Sequence, residues 1–249
     1  MKPSRARRLG RMFLPARLQR PLRERHLSAW PPVGHVRLGD LRRTTPISSV
    51  FGYDRGLPID RCYVERFLAG HAGDVRGVAL EFRDDAYLRR FGGDALTSVD
   101  VLNLERDHPG TTIAADLAHA DQLPEDRFDC IVCTGVVQLV YDLPVAVQNL
   151  HRMLTVGGVL LATLPGITRV ARDSTGAWED HWRLTSVAAR KVFTGVFGPQ
   201  SVEVEWYGNP LVAVASLMGL AAQDLKPGEL DARHPDYEVL IGVRAVKNA

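Results

Sequence analysis

Cysteine is scarce in this sequence of 249 residues: Cys62, Cys130 and Cys133 are the only three. An odd, sparse set does not build a disulfide framework, and it fits a reducing compartment. Cys130 and Cys133 have CxxC spacing, yet they fall in an apparent strand, where side chains alternate faces. An offset of three puts them on opposite sides, so shared chelation is not expected and buried, inert thiols are. The eight histidines are scattered without metal-ligand spacing, and no metal is expected. No stretch reaches the roughly 18–20 apolar residues of a membrane span. The longest run, Leu211 to Ala222, is broken by Ser216 and Gly219 and reads as a buried helix. The chain lacks an apolar signal core after its basic start, which argues against secretion and for a cytoplasmic location. No repeat is visible. No G-x-G-x-x-G follows the first strand, which argues against a nicotinamide-dependent dehydrogenase.

What is present is an ordinary globular composition, 45% hydrophobic and 24% charged, enough to form a core. Net charge is only +2, but its distribution is uneven. Residues 1–43 hold twelve Lys/Arg and two Asp/Glu, leaving 19 basic and 27 acidic residues for the rest. A basic, Arg- and Pro-rich arm over residues 1–35 therefore precedes an acidic body over 36–249, of which 36–75 forms a cap segment. The arm reads as a solvated, flexible segment. The alternatives are a docking segment for an acidic partner, nucleic acid or a membrane surface, or an organellar transit peptide. Its only aromatics are Phe13 and Trp30, few for stacking bases, so nucleic acid is not the expected partner.

From Ile59 onward, periodicity predicts a helix to His71, capped by Asp60, with Tyr63, Val64, Phe67 and Leu68 on one face. Strands follow at 78–82, 98–102, 112–116, 128–133 and 159–163. A helix at 143–154 is capped by Asp142. Residues 201–207 and 237–246 alternate like paired antiparallel strands. This order predicts an α/β fold: a Rossmann-like, seven-stranded, mostly parallel sheet with an antiparallel C-terminal strand and helices on both faces. Ligands of such sheets bind at the carboxyl ends of the strands, near the switch point between the first and fourth.

Acidic and polar residues collect there. Glu81 ends the first strand, with Phe82 after it. Asp100, followed by Val101, lies about 20 residues on, the spacing at which an acid holds ribose hydroxyls. Asp116-Leu117 ends the third strand, suited to reading an adenine edge. Thr134-Gly135 ends the fourth.

These residues resemble the class I S-adenosylmethionine-dependent methyltransferases over roughly 75–165. The resemblance is carried by Val78-Ala79-Leu80-Glu81, Asp100, Ala115-Asp116-Leu117, Leu123 to Asp129, and Leu150 to Leu160, with Val156 where the family usually has proline. With Tyr53 to Arg61 and His181 to Thr185, the whole chain is similar to a bacterial subgroup often associated with glycosyltransferases. The resemblance implies S-adenosyl-L-methionine as cofactor, S-adenosyl-L-homocysteine as product, and a small-molecule acceptor. It places Arg55 against the cofactor carboxylate; the alternative is that Arg55 pins its own loop. The family's Glu-x-Gly-x-Gly-x-Gly is here Glu81-Phe82-Arg83-Asp84-Asp85-Ala86-Tyr87. Either the loop takes another path, or cofactor binding is weakened and the chain is a partner module. Many relatives have a histidine near Gln138, and glutamine orients an acceptor but is no base. His181, in Trp178-Glu179-Asp180-His181-Trp182-Arg183, is the catalytic candidate, with packing around Trp182 as the alternative. Gln138, Tyr141 and Trp182 are the acceptor-side candidates. O-methylation of a small molecule or sugar is the expected activity; the alternative of a nucleic-acid methyltransferase using the basic arm is disfavoured because the Asn-Pro-Pro-Tyr signature of base amino-methylation is absent.

Overall fold

A computed structural model describes residues 31–32 and 34–249. The expectation of a flexible arm falls almost wholly on residues outside this range. The chain divides at Thr44/Thr45 into two compact units. In the first, the described residues contain one short 3₁₀ turn, Gly39–Leu41.

The second unit is built on seven strands: β1 (Gly77–Phe82), β2 (Leu96–Asn103), β3 (Ile113–Ala114), β4 (Phe128–Thr134), β5 (Leu154–Pro165), β6 (Val202–Tyr207) and β7 (Leu240–Val246). Their order in the sheet is β3-β2-β1-β4-β5-β7-β6. β1 pairs in parallel with β2 and β4, β2 with β3, and β4 with β5. β7 is inserted antiparallel between β5 and β6. The sheet thus matches the expected architecture, and its switch point falls between β1 and β4.

Alternation along the strands divides the core in two. On one face α3 (Leu143–Met153) and α4 (Ser186–Phe197) bury Ala146, Val147, Leu150, Met153, Phe193 and Phe197 against Ile131, Cys133 and Leu160. On the other, α1 (Ile59–Gly70), α2 (Ala86–Gly92) and α5 (Pro210–Leu217), followed by the short α6 (Pro227–Asp231), cover Cys130, Val132 and Leu161. Cys130 and Cys133 therefore face opposite ways. Burial pushes the Cys130 thiol up to about 12 and the Cys133 thiol above its ordinary value, so both stay protonated. Tyr63, Val64, Phe67 and Leu68 are the buried face of α1, as their spacing predicts. Phe67 lies flat on β7 because Gly242 has no side chain; a Cβ there would collide with its ring.

Several boundaries differ from the sequence reading. β2 is longer than 98–102, and β3 is reduced to Ile113–Ala114. Asp142 caps α3 by accepting the Val145 amide. Asp60 does not cap α1: Pro58 holds the cap position, and Asp60 lies inside the first turn, where its charge complements the helix dipole. The apolar run at 211–222 is only half buried. Helix α5 turns Val212, Ala213 and Ala215 inward and leaves Leu211, Val214 and Leu217 exposed.

Candidate functional site

Chain direction places the carboxyl ends of β1, β2, β3, β4 and β5 along one rim. At β1 the backbone leaves through Arg83, a non-glycine residue at φ 77°. That is the left-handed region glycine occupies without strain. Asn103, at the end of β2, holds this turn, its side-chain amide donating to the Arg83 carbonyl at 3.3 Å and to Thr111 Oγ1 at 2.8 Å. Glu81 is turned to the first turn of α2. Its buried carboxylate accepts the Leu88 amide at 2.9 Å and the Tyr87 amide at 3.4 Å, so it caps α2 from below. Burial pushes the Glu81 carboxyl up to about 8, partly opposed by these amides.

Asp100 is likewise committed elsewhere. It lies three residues before the end of β2, about 10 Å below the rim at the rise of a strand. Its carboxylate accepts from Thr112 Oγ1 at 2.7 Å and pairs with Arg127 Nη2 at 2.5 Å. Thr112 is level with Val101, just before β3, and Arg127 precedes β4, so both carboxylate oxygens of Asp100 are engaged within the protein. Val101, its neighbour, is buried in the sheet. The acid just past the end of β2 is instead the exposed Glu105. The sequence reading missed it because the strand runs further than its apolar core.

At β3, Asp116 accepts the Ala118 amide at 2.8 Å and lies 3.1 Å from His119 Nδ1, while Leu117 is buried. Phe82 and Thr134, at the ends of β1 and β4, are half-buried.

The acceptor-side candidates come together. The His181 amide donates to the Gln138 carbonyl at 3.1 Å, tying the loop after β5 to the segment after β4. The His181 ring stands edge-on to Tyr141 at 5.4 Å, and Tyr141 packs on Trp182 at 5.9 Å. Trp182 Nε1 donates to the carbonyls of Val140 and Tyr141. A cleft of about 370 Å³ lies outside this cluster, lined by Tyr141, Asp142, Leu143, Pro144 and Trp182. Gln138 is 9% exposed and Thr163, beside the end of β4, is 1% exposed. Gln138 Oε1 and Thr163 Oγ1 are buried without a hydrogen-bond partner among the described residues.

The loop carrying His181 is stapled from beneath. Asp180, its side chain 2% exposed, takes Arg183 in a two-pronged pair at 2.6 Å for each contact. It also accepts the Ala171 amide at 2.7 Å, and Arg183 donates to the Arg169 carbonyl at 2.6 Å. Asp180 and Arg183 are thus structural, and His181 and Trp182 are what the staple presents. Facing this loop is the segment before α1. Arg169 donates to the Ser49 carbonyl at 2.7 Å, and its guanidinium lies 3.6 Å from the Phe51 ring centroid. Arg55 pairs with both oxygens of Asp224 at 2.6 and 2.8 Å. It therefore pins the loop, and its guanidinium is spent rather than offered to a ligand. Asn209 is also fully used, capping α5 and donating to the Glu229 and Ala232 carbonyls. His151 packs edge-on against Phe197, away from the rim, as a structural residue. Among the described residues no group of three or more metal-ligating side chains occurs, and no helix is long and apolar enough to cross a membrane.

The strand order is that of the Rossmann-like methyltransferase fold. Residues 85–162 match a family model described as a methyltransferase domain. The matched segment is about a third of the chain, and the solved structures similar to it share its fold. A methyltransferase from Archaeoglobus fulgidus is similar in fold, with a TM-score of 0.50 and 10% identity, over 76% of this chain and 94% of that one. A phospholethanolamine N-methyltransferase 2 from Haemonchus contortus, solved with S-adenosylhomocysteine, aligns at a TM-score of 0.48 and 12% identity. That alignment covers 74% of this chain and 53% of its own. A probable polyketide synthase 6 from Dictyostelium discoideum is 30% identical over 101 residues, 40% of this chain; the matched region spans 3% of that relative.

Three features of the rim are open to a nucleoside ligand. Arg83 occupies the first glycine position of the family's loop and keeps the left-handed conformation a glycine would supply. Glu105 stands at the end of β2 with its carboxylate unpaired among the described residues. Gln138 Oε1 and Thr163 Oγ1 are orphaned at the other end.

Proposed function

We propose that the chain is a methyltransferase acting on a hydroxyl of a small-molecule or sugar acceptor, in the cytoplasm. The observation that carries this reading is the convergence of Gln138, Tyr141, His181 and Trp182 at the carboxyl ends of β4 and β5. These are the three acceptor-side candidates and the catalytic candidate, drawn from two separate loops. Glu105 replaces Asp100 as the group for the ribose hydroxyls, and Asp116 with the Leu117 amide faces the adenine edge. Thr134, Phe82 and Gly135 floor the crevice between them.

The cofactor supplies an electrophilic methyl group on a good leaving group. The protein's task is alignment and exclusion of water. Gln138 Oε1, buried and unpaired, accepts a hydrogen bond from the acceptor and fixes its orientation. Tyr141 and Trp182 form an aromatic wall on which an apolar or sugar face rests. Bound at the rim, the cofactor would supply its methyl group to the acceptor oxygen, and an imidazole nitrogen of His181 would take up the hydroxyl proton. A positioned base of this kind contributes roughly 10²–10⁴-fold.

The test has two stages. Titration calorimetry with S-adenosylhomocysteine comes first. No heat at about millimolar ligand would leave a methyltransferase-fold partner module, the reading that the glycine-poor loop supports. If binding is found, an acceptor screen on wild type and His181→Ala follows. Slower turnover with unchanged cofactor affinity is expected; a fully active variant would remove His181 as the base.

A further inference from the structure

Four amides of the segment after β1 are already used, leaving those of Asp84 and Asp85 beside two carboxylates that repel an anion. The Arg83 amide donates to the Leu102 carbonyl at 3.2 Å, the Ala86 amide to Asp84 at 3.1 Å, and the Tyr87 and Leu88 amides to Glu81. Asp85 and Tyr87 put side chains where the family's second and third glycines would leave open backbone. An amino-acid end seated here therefore needs a side-chain cation. Three arginines around the loop are paired with carboxylates: Arg55 with Asp224, Arg89 with Asp85 and Arg90 with Glu65; Arg169 donates to the Ser49 carbonyl and stacks on Phe51, its Nε buried without a partner among the described residues.

Arg61 is different. It sits in the first turn of α1, half-buried, with no carboxylate within ion-pair distance among the described residues. Its Nε donates to the Tyr53 hydroxyl at 3.3 Å. Tyr87, in the first turn of α2, faces the same guanidinium: burial pushes its phenol up and Arg61 pulls it partway back. A cation held on a rigid helix and flanked by two phenols is a ready-made fork for a carboxylate.

We propose that Arg61, framed by Tyr53 and Tyr87, anchors the α-carboxylate of the cofactor's amino-acid end, replacing the loop amides that glycines would free. This rests on the cofactor reading above. The helix α1 arginine thus takes the role that Arg55, locked to Asp224, does not fill.

The experiment compares two ligands by titration calorimetry on the full chain. S-adenosylhomocysteine carries the carboxylate; 5′-methylthioadenosine shares the nucleoside and thioether but lacks it. Wild type is expected to bind the former at least about tenfold more tightly. Arg61→Gln abolishes that preference by weakening S-adenosylhomocysteine alone, and Arg61→Lys restores part of it. Arg90→Gln, on α2 and paired with Glu65, leaves the preference intact. A preference that survives Arg61→Gln, or that is lost on Arg83→Gln instead, overturns the assignment. Failure of wild type to bind either nucleoside sinks the cofactor reading itself, a distinct result. Melting curves confirm that each variant is folded, and the ratio of the two affinities cancels any uniform loss of active protein.

Discussion

Glu81 shows how one residue's neighbourhood decides what it does. A carboxyl at the end of a first strand invites a ligand role. Here burial and two backbone amides turn it into a cap for α2 with its pKa raised to about 8. A folded-state pKa above the unfolded value means the native protein holds the proton longer. The stability from that proton is therefore complete below the ordinary carboxylate range and disappears as pH rises through about 8. Glu81→Gln keeps an uncharged acceptor for the Leu88 amide and has no proton to lose. Thermal melts at about pH 6 and about pH 9 should show wild type losing more stability than the variant. Identical shifts would mean that the carboxyl ionises without cost.

Asp100 makes the complementary case. Its carboxylate holds Thr112 and Arg127 below the rim, so Asp100→Asn should cost fold stability, about 1–2 kcal/mol once the half-exposed Arg127 is discounted for screening. Affinity for S-adenosylhomocysteine should stay unchanged. Glu105→Gln should do the reverse, weakening that affinity roughly tenfold to a hundredfold at constant melting temperature, since a charged hydrogen bond is at stake. Calorimetry and melting of the two variants side by side separate the assignments.

At the scale of elements, the segment Trp178 to Arg183 owes its position to one ion pair. Asp180 is almost wholly buried and Arg183 closes over it, so removing one partner strands a charge. Asp180→Ala should destabilise by about 3–5 kcal/mol, whereas the double variant Asp180→Ala/Arg183→Met should recover part of that loss. Urea midpoints measure both. Additive losses would show that the pair is not coupled. This staple also marks the limit of what sequence reveals. Strand order, the buried face of α1 and the Asp142 cap were legible because hydrophobic period and cap chemistry are local. The start of β2 was not, because Leu96, Thr97 and Ser98, the last two exposed, carry no apolar alternation. Which arginine is spent and which is free was hidden as well. Arg55 finds Asp224 across 169 positions, and no spacing rule encodes such a partner. His181 and Trp182 were legible as candidates, but their convergence with Gln138 and Tyr141 depends on the tertiary fold.

For the molecule as a whole, the question is which part of the chain makes the rim. Both hydrophobic clusters draw their buried residues from Ile59 onward, and every group assigned here to cofactor or acceptor lies in the unit Thr45–Ala249. The segment before α1 is held within that unit, by Ile47 to the Met218 carbonyl, Ser48 to Asp54, Arg55 to Asp224 and Arg169 to Ser49. A fragment of residues 45–249 should therefore fold cooperatively. A ligand that binds only the native state at about 100 times its dissociation constant adds about 2.7 kcal/mol of stability. The fragment and the full chain should gain the same increment from S-adenosylhomocysteine in parallel denaturation curves. An equal increment would assign the basic N-terminal residues to work outside the cofactor crevice. A fragment that folds but gains nothing would mean that those residues complete the crevice, and the rim drawn here from 45–249 alone would be missing a wall.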